Sequence, residues 1–502
     1  MAHVLRPLAL RRPLSRIASL VERRKPMTVP LRKFSGAALL LPALLAGCVA
    51  VPKGEQQFTP ATAAQMGLNA APVPIAPDWW QALGDPQLNR IMADALSGNP
   101  TLEEATIRLR LAQAAIANAK AGLMPQASAN VSSVDQRLSN RYIYPAPLGG
   151  SWQWISNAQA DLSWSLDLAG RQKAMVKATG QFVQASRLQT AAARVSISGA
   201  VVQAYINLAR AEAQSRLAAE FVASREDSLK LLTARRASGL GTELDLASAR
   251  TLLAEARQAQ VRADGARAIM LHALAALAGR GTDYYASITP AQLAFDSALP
   301  VPQALPADLL GRRADLLAAR AQVEMALSAK DISKADFYPD VSLRAFVGAQ
   351  ALGIGRVFSG EALTGGFGPA LHLPIFSGGA IKARYAASVA GADTAIAQYN
   401  GAVVKAVQEA ADALSALETN RADAARQAEV VEGLQQTVSL DRVRLASGLS
   451  TRLDVLNAGE RLLSARQSQL DLAADGALRR VQLLVALGGG FALIADTPAA
   501  KD

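Results

Sequence analysis

The chain has 502 residues, of which 51% are hydrophobic and only 5% aromatic, a balance that favours long alanine-rich helices in thin bundles over a thick globular core. Residues 1–47 hold nine Lys or Arg residues and one acid, Glu22, so they carry +8 of the net charge of +11. The remaining +3 gives no support for a nucleic-acid partner.

The first 47 residues have the pattern of a secretory signal peptide. Arg32 and Lys33 precede an apolar run at residues 36–46, which is too short to span a bilayer. Residues 1–26 fit this pattern poorly, and Met27 would make a more typical start. We interpret 1–26 as an unusually long n-region or as an artefact of the assigned gene start.

The apolar run ends in Leu-Ala-Gly-Cys at residues 45–48, which resembles a bacterial lipobox. In such signals the cysteine becomes the mature N-terminus and carries lipid, here N-palmitoyl and S-diacylglycerol groups on Cys48. The alternative is a chance cysteine in an apolar segment. Cys48 is the only cysteine, so the mature chain can form neither a disulfide nor a thiolate metal site.

Residues 48–97 are predicted to form a lipidated tether and a segment beside the main helices. Residues 49–80 are rich in proline, alanine and glutamine, which is typical of an extended chain. A short helix is predicted to end near Leu96, and the next helix to run over 99–123.

Two predicted β-hairpins, at 126–167 and 340–376, show period-two alternation, which indicates strands with one apolar and one polar face. The clearest apolar series is Trp152, Trp154, Ala158, Ala160, Leu162, Trp164 and Leu166. The length suits tilted membrane strands whose polar face lines a wet lumen.

A very long proline-free helix follows each hairpin, predicted over 171–237 and 380–446, about 100 Å each. Each is followed by a returning helix, predicted over 242–277 and 451–487. Each half also has a shorter helix before its hairpin, predicted over 99–123 or 307–337. The summed length of this helix and the returning helix of the same half is close to the length of one long helix. Two short helices stacked end to end are therefore predicted to lie beside each long one.

The chain repeats itself at an offset of 209 residues: 237–246 read ASGLGTELDL and 446–455 read ASGLSTRLDV. This period is too long for a solenoid unit and predicts two tandem structural repeats, 98–306 and 307–490, followed by a tail at 491–502. Four strands cannot close a barrel in lipid, so the chain must oligomerise, and three copies would supply twelve strands.

The lipobox, the Asp78-Trp79-Trp80 and Gly84-Asp85-Pro86 segments and the duplicated halves resemble the TolC/NodT-type outer-membrane efflux lipoproteins over about residues 48–490. The resemblance implies an α+β membrane protein: a homotrimer with a twelve-stranded β-barrel in the outer membrane, continuous with a long periplasmic α-helical barrel. It also implies docking to a periplasmic adaptor and an inner-membrane pump of the RND type, for efflux of drugs or other toxic small molecules.

The resemblance carries over to specific residues at the two helix-ending turns. It implies adaptor contacts at Gly239, Leu240, Thr242, Gly448, Leu449 and Thr451. It also implies a periplasmic gate at Asp454 with Arg452 and Asn457, where some relatives have a second acid at the position of Asn457. Three copies of Asp454 near one axis would raise each other's pKa and attract cations. The alternative is that Asp454 is simply an exposed helix residue near an N-terminus, where acids are favoured, and that Gly239 and Gly448 only cap helices.

Three other functions are alternatives to passive efflux. The first is the outer-membrane part of a type I protein-secretion system. The second is a periplasm-spanning coiled-coil scaffold, which has no need of a lipid-facing β surface. The third is a lipid-anchored enzyme, but the sequence offers no Ser/His/Asp set, paired histidines or phosphate loop. The sequence therefore predicts no enzyme, catalytic residue, metal or cofactor other than the lipid.

Overall fold

A computed structural model describes residues 51–491 apart from 53, 55, 72, 73, 297, 298, 300 and 303. The predicted signal segment, Cys48 and residues 492–502 lie outside the described residues. The main helices are α1 Pro86–Gly98, α2 Pro100–Ala121, α3 Arg171–Ala237, α4 Glu243–Leu277, α5 Leu309–Arg312, α6 Ala314–Ala335, α7 Ala380–Ala446 and α8 Arg452–Ala486. The strands are β1 Gln126–Arg137, β2 Trp152–Ser165, β3 Asp340–Leu352 and β4 Leu363–His372.

Corresponding helices in the two halves have equal lengths. Helices α2 and α6 have 22 residues each, α3 and α7 have 67, and α4 and α8 have 35. The bounds predicted for the two long helices are confirmed. None of the described helices is both long and apolar enough to cross a membrane.

The predicted end-to-end stacking of short helices beside each long helix is confirmed at two joints. Asn99 caps α2 by accepting the Thr101 N–H at 2.9 Å, and its Nδ2 donates to the carbonyl of Leu277, the last residue of α4, at 2.8 Å. At the second joint the guanidinium of Arg313, just before α6, donates to the carbonyl of Ala486 at 3.1 Å. Each joint satisfies a carbonyl that a helix end leaves without an intrahelical partner.

The helix predicted over 307–337 is instead broken into α5 and α6 at Arg313. This residue has an extended backbone, with φ −93° and ψ 116°. Its guanidinium pairs with Asp315 at 2.8 Å and with Glu409 of α7 at 2.9 Å. A continuous helix would carry the arginine away from these partners, and Gly311 next to the break adds a weak helix former.

The four strands form one antiparallel sheet in the order β1-β2-β3-β4. Each strand pairs with its chain neighbour, and β1 and β4 are the two edges. Strand β4 accommodates Pro369 because an edge strand has a row of N–H groups that need no partner within the sheet. The second hairpin, predicted to reach residue 376, ends earlier, because β4 stops at His372.

The main core lies where α1, α3, α4 and α8 meet, near the middle of α3. Trp79 and Trp80, in a short 3₁₀ helix before α1, are buried there with their rings edge to face at 6.1 Å. Other buried members are Leu88, Ile91, Met92, Tyr205, Ile206, Leu208, Leu274, Val481 and Leu484. This core ties the N-terminal segment to helices from both halves.

Replacing Tyr205 by phenylalanine is expected to lower the free energy of unfolding by about 1–3 kcal/mol, because Asp85 loses a buried donor. The Tyr205 hydroxyl is fully buried and donates to Asp85 Oδ2 at 2.5 Å. Chemical denaturation in detergent measures the change. The matched control is Tyr399→Phe, since no described residue hydrogen-bonds the Tyr399 hydroxyl; an equal loss there would refute the account.

Candidate functional site

Each long helix ends in the same tight turn, built around a glycine in the left-handed region. Gly239 has φ +74° and Gly448 has φ +72°, which side chains other than glycine rarely adopt. The amide of each following leucine donates to a carbonyl of the last helical turn at 2.9 Å, as in a Schellman motif. Leu240 and Leu449 are each 71% exposed, so both turns present an apolar side chain to solvent.

The returning helices begin with matching capping boxes. The Thr242 hydroxyl accepts the Asp245 N–H at 3.1 Å, and the Asp245 carboxylate accepts the Thr242 N–H at 2.9 Å. Thr451 and Asp454 repeat this pair at 3.2 and 2.8 Å. Both turns are therefore rigid local structures in which glycine ends one helix and threonine starts the next.

The predicted gate residue Asp454 is engaged in this cap. Its Oδ2 accepts the Thr451 hydroxyl at 2.6 Å, the Thr451 N–H and the Ser450 hydroxyl at 3.2 Å. The bonds from Thr451 hold the pKa of the Asp454 carboxyl below its ordinary value. In a single chain Asp454 is thus part of a helix cap, while the gate role stays a prediction about the assembled protein.

Arg452 and Asn457, the other predicted gate residues, lie exposed on the first turns of α8. Among the described residues, none forms an ion pair or hydrogen bond with the Arg452 guanidinium. The structure therefore brings Arg452, Asp454 and Asn457 onto one short stretch of helix but gives Arg452 no partner within the described part of the chain.

A row of polar pairs, here called the polar seam, joins α3 to α8. The pairs are Arg210 with Asp475, Gln214 with Asp471 at 2.6 Å, and Arg225 with Glu460 at 2.8 Å. In every pair the two residue numbers add to 685, as expected for antiparallel helices in one register. The polar seam is therefore the boundary between a helix of the first half and a helix of the second.

The pair nearest the turns, Arg225 with Glu460, is the most enclosed. The side chains are 21% and 12% exposed. Burial raises the pKa of the Glu460 carboxyl, and the Arg225 charge only partly opposes that rise. The pair aligns Arg225 of α3 with Glu460 of α8 and so helps to specify the register of the two helices.

The contact between α7 and α8, within the second half, is apolar at the same level. It is formed by Val431, Val438, Ala458, Leu462 and Ala465. Beyond Arg225, the last 12 residues of α3 make no hydrogen bond or ion pair with α8 in the described part of the chain, over about 18 Å. Towards the turns, α3 and α8 are therefore linked by no polar contact beyond the Arg225–Glu460 pair in the described part of the chain.

The sheet has one apolar and one polar face, as the alternation predicts, because directly paired residues of adjacent strands point the same way. The apolar face includes Val131, Leu162, Trp164, Leu343, Val347 and Phe367, all exposed. The polar face includes Gln126, Ser128, Asn130, Gln159, Asp161, Ser163, Arg344 and Thr364. An exposed apolar sheet face of this extent suits contact with lipid.

The profile of the family described as outer membrane efflux protein matches residues 91–280 and 305–489. The chain belongs to the outer membrane efflux protein family. Like its relatives, this efflux protein is a protein of the outer membrane. The family is one of efflux proteins and not of enzymes.

Two relatives and one solved structure illustrate the similarity. The fusaric acid resistance protein FusA of Burkholderia cepacia is 33% identical over 367 residues, 71% of this chain and 69% of FusA. The outer membrane protein OprJ of Pseudomonas aeruginosa is 29% identical over 468 residues, 91% of this chain and 96% of OprJ. The crystal structure of the outer membrane protein VceC from Vibrio cholerae aligns with TM-score 0.76 and 32% identity, covering 84% of this chain and all of VceC.

Sequence reasoning missed the polar seam of this efflux protein. Arg225 and Glu460 are 235 positions apart, and nothing in the local pattern of either helix pairs them. A signal becomes visible only once α3 and α8 are known to be antiparallel neighbours, because the constant sum of residue numbers then identifies all three pairs.

Proposed function

We propose that the protein is a passive homotrimeric exit duct, the outer-membrane component of a tripartite efflux system. The observation that supports this most strongly is a four-stranded sheet with two unpaired edges and an exposed apolar face. Backbone groups at an open edge have no partner in lipid, so β1 of one copy must pair with β4 of the next.

The number of strands favours three copies. Two copies would give eight strands, and the interior of such a barrel is filled by side chains. Three copies give twelve strands and leave a lumen lined by the polar face. The equal helix lengths in the two halves support the proposed tandem duplication and a continuous helical barrel below the sheet.

The lipid anchor on Cys48 is supported by the course of the tether along α7. The Gln57 N–H donates to Asp393 at 3.1 Å, and the Ala61 N–H donates to Asn400 at 2.7 Å, so the chain runs towards the strands as it approaches its N-terminus. Gly54 lies beside Tyr385, in the second turn of α7.

The Cys48→Ser variant is expected to lose palmitate incorporation and the mass of the lipid while keeping pore formation, since the anchor adds membrane affinity but no strand. Mass spectrometry of the purified protein and bilayer conductance give the two readouts. Retained lipid on the serine variant would place the modification elsewhere.

The two turns are the proposed docking points for a periplasmic adaptor, which in turn contacts an inner-membrane pump. Leu240 and Leu449 supply exposed apolar anchors on rigid turns, a suitable arrangement for a hot spot. The gate is proposed at Asp454, Arg452 and Asn457 beside the second turn, and we add the polar seam as the contact that holds the two helical pairs together above it.

The cargo is proposed to be a toxic small molecule, as the name of FusA indicates for that relative. Deleting the gene is expected to lower the inhibitory concentration of some toxic compounds severalfold, and the intact gene on a plasmid is expected to restore it. Unchanged susceptibility across a broad panel, in a strain without paralogues, would count against efflux.

A further inference from the structure

The polar face of the sheet carries one feature that an inert duct does not require. Phe346 lies in the middle of β3, six residues from each end of the strand, among small and polar side chains. Direct pairing with Asp161 of β2 and Gly366 of β4 fixes it on the polar face. A bulky apolar side chain there would face water in the lumen.

The position of Phe346 is built into the neighbouring strand. A Cβ added at Gly366 would lie 2.9 Å from Cε1 of Phe346, so the ring lies directly over a residue without a side chain. This contact explains the glycine on β4. Because Phe346 is nevertheless 40% exposed, part of the aromatic ring is open to solutes in the lumen.

A cation lies next to the ring on the same face. Arg344 is two residues along β3 and is paired with Ser163 and Gly368. Among the described residues, none forms an ion pair or hydrogen bond with its guanidinium. The neighbouring acid, Asp161, already accepts a hydrogen bond from Gln159 at 2.6 Å. The group with unused donors is therefore the arginine.

We propose that Phe346 and Arg344 form a weak binding station in the lumen for planar aromatic anions. The aromatic part of the solute stacks on Phe346, and its carboxylate or sulfonate accepts hydrogen bonds from Arg344. In a trimer the station occurs three times around the lumen. The inference rests on the proposed trimeric duct, because only a closed barrel gives the polar face a lumen.

The test is the block of single-channel current by 1-naphthoate, with purified protein in planar bilayers. Phe346→Leu keeps an apolar side chain over Gly366 but removes the aromatic face, and it is expected to weaken block about fivefold. Arg344→Gln is expected to abolish the preference for 1-naphthoate over the uncharged 1-naphthalenemethanol. The matched control is Phe367→Leu on the apolar face, which is 94% exposed and is expected to leave block unchanged.

Several outcomes would overturn the station. The first is that 1-naphthoate does not block wild-type pores. The second is that it blocks the wild type and Phe346→Leu equally. The third is that Phe367→Leu weakens the block as much as Phe346→Leu does. If the protein forms no pores, the proposed duct fails as well.

Labelling with a membrane-impermeant maleimide distinguishes these two failures. The cysteine of Phe346→Cys is expected to react with the maleimide through the lumen, whereas that of Phe367→Cys is expected to be shielded by lipid. Labelling of the wild type measures any background reaction at Cys48. The reverse pattern would place Phe346 on the lipid side and refute the station, whatever the conductance.

Discussion

Glu460→Ala is expected to raise the channel's open probability more than any other single substitution considered for this protein. The variant removes the whole Glu460 side chain from its enclosed position and leaves the Arg225 guanidinium, which is 21% exposed, with no side-chain oxygen of Glu460 beside it. Losing both the oxygens and the volume of that side chain would weaken the polar seam by about 2 kcal/mol. That corresponds to a shift of roughly thirtyfold in the equilibrium between joined and separated helical pairs.

Two control variants separate the loss of the pair from general damage. Glu460→Gln keeps the side-chain volume and an oxygen beside Arg225 and is expected to stay close to the wild type. The charge swap, Arg225→Glu together with Glu460→Arg, is expected to restore low conductance in planar bilayers. If the swap conducts as freely as Glu460→Ala, the seam does not act through this pair.

The raised pKa of Glu460 fixes the sign of the pH response. A carboxyl group whose pKa is raised by burial binds its proton more tightly when the seam is formed than when the helices separate. Lowering the pH from neutral through the raised pKa therefore stabilises the seam, and conductance is expected to fall with a midpoint above the ordinary glutamate value. Glu460→Gln should lack this transition.

Asp454→Ala is expected to have the second largest effect, because it removes the ring of three carboxylates proposed for the periplasmic gate. Block by divalent cations should weaken at least severalfold, and single-channel conductance should rise. Because hydrogen bonds from Thr451 lower the pKa of Asp454, the block is expected to persist below the pH at which an ordinary aspartate becomes protonated. Loss of the block at a higher pH would show that repulsion among the three copies outweighs these hydrogen bonds.

Asp245→Ala is the matched control for the Asp454 prediction. Asp245 forms the same capping box in the first half, and hydrogen bonds from Thr242 lower its pKa too. The control removes the equivalent capping hydrogen bonds but leaves the proposed gate carboxylate of Asp454 in place. If both variants change divalent block equally, the effect belongs to the caps and Asp454 has no separate gate role.

The long helices could be predicted from the sequence to the residue because their ends carry strong local signals. Gly239 and Gly448 are needed for turns with positive φ, and Thr242 and Thr451 start the next helices. Strand faces were equally predictable, since period-two alternation depends only on local geometry.

The break at Arg313 could not be predicted, because it is decided by partners that are distant in sequence. The arginine reaches Glu409 and the carbonyl of Ala486. For the same reason the pair of Arg225 with Glu460 could not be found. The chemistry of the station at Phe346 also depended on the register, because the alternation shows its face but not the glycine beneath its ring.

The most direct test of the central claim is the molecular mass of the protein extracted from outer membranes in detergent, measured together with planar-bilayer conductance on the same sample. We expect a trimer that forms pores. A monomer, or an oligomer that conducts under no condition, would contradict it and favour a scaffold that spans the periplasm without a channel.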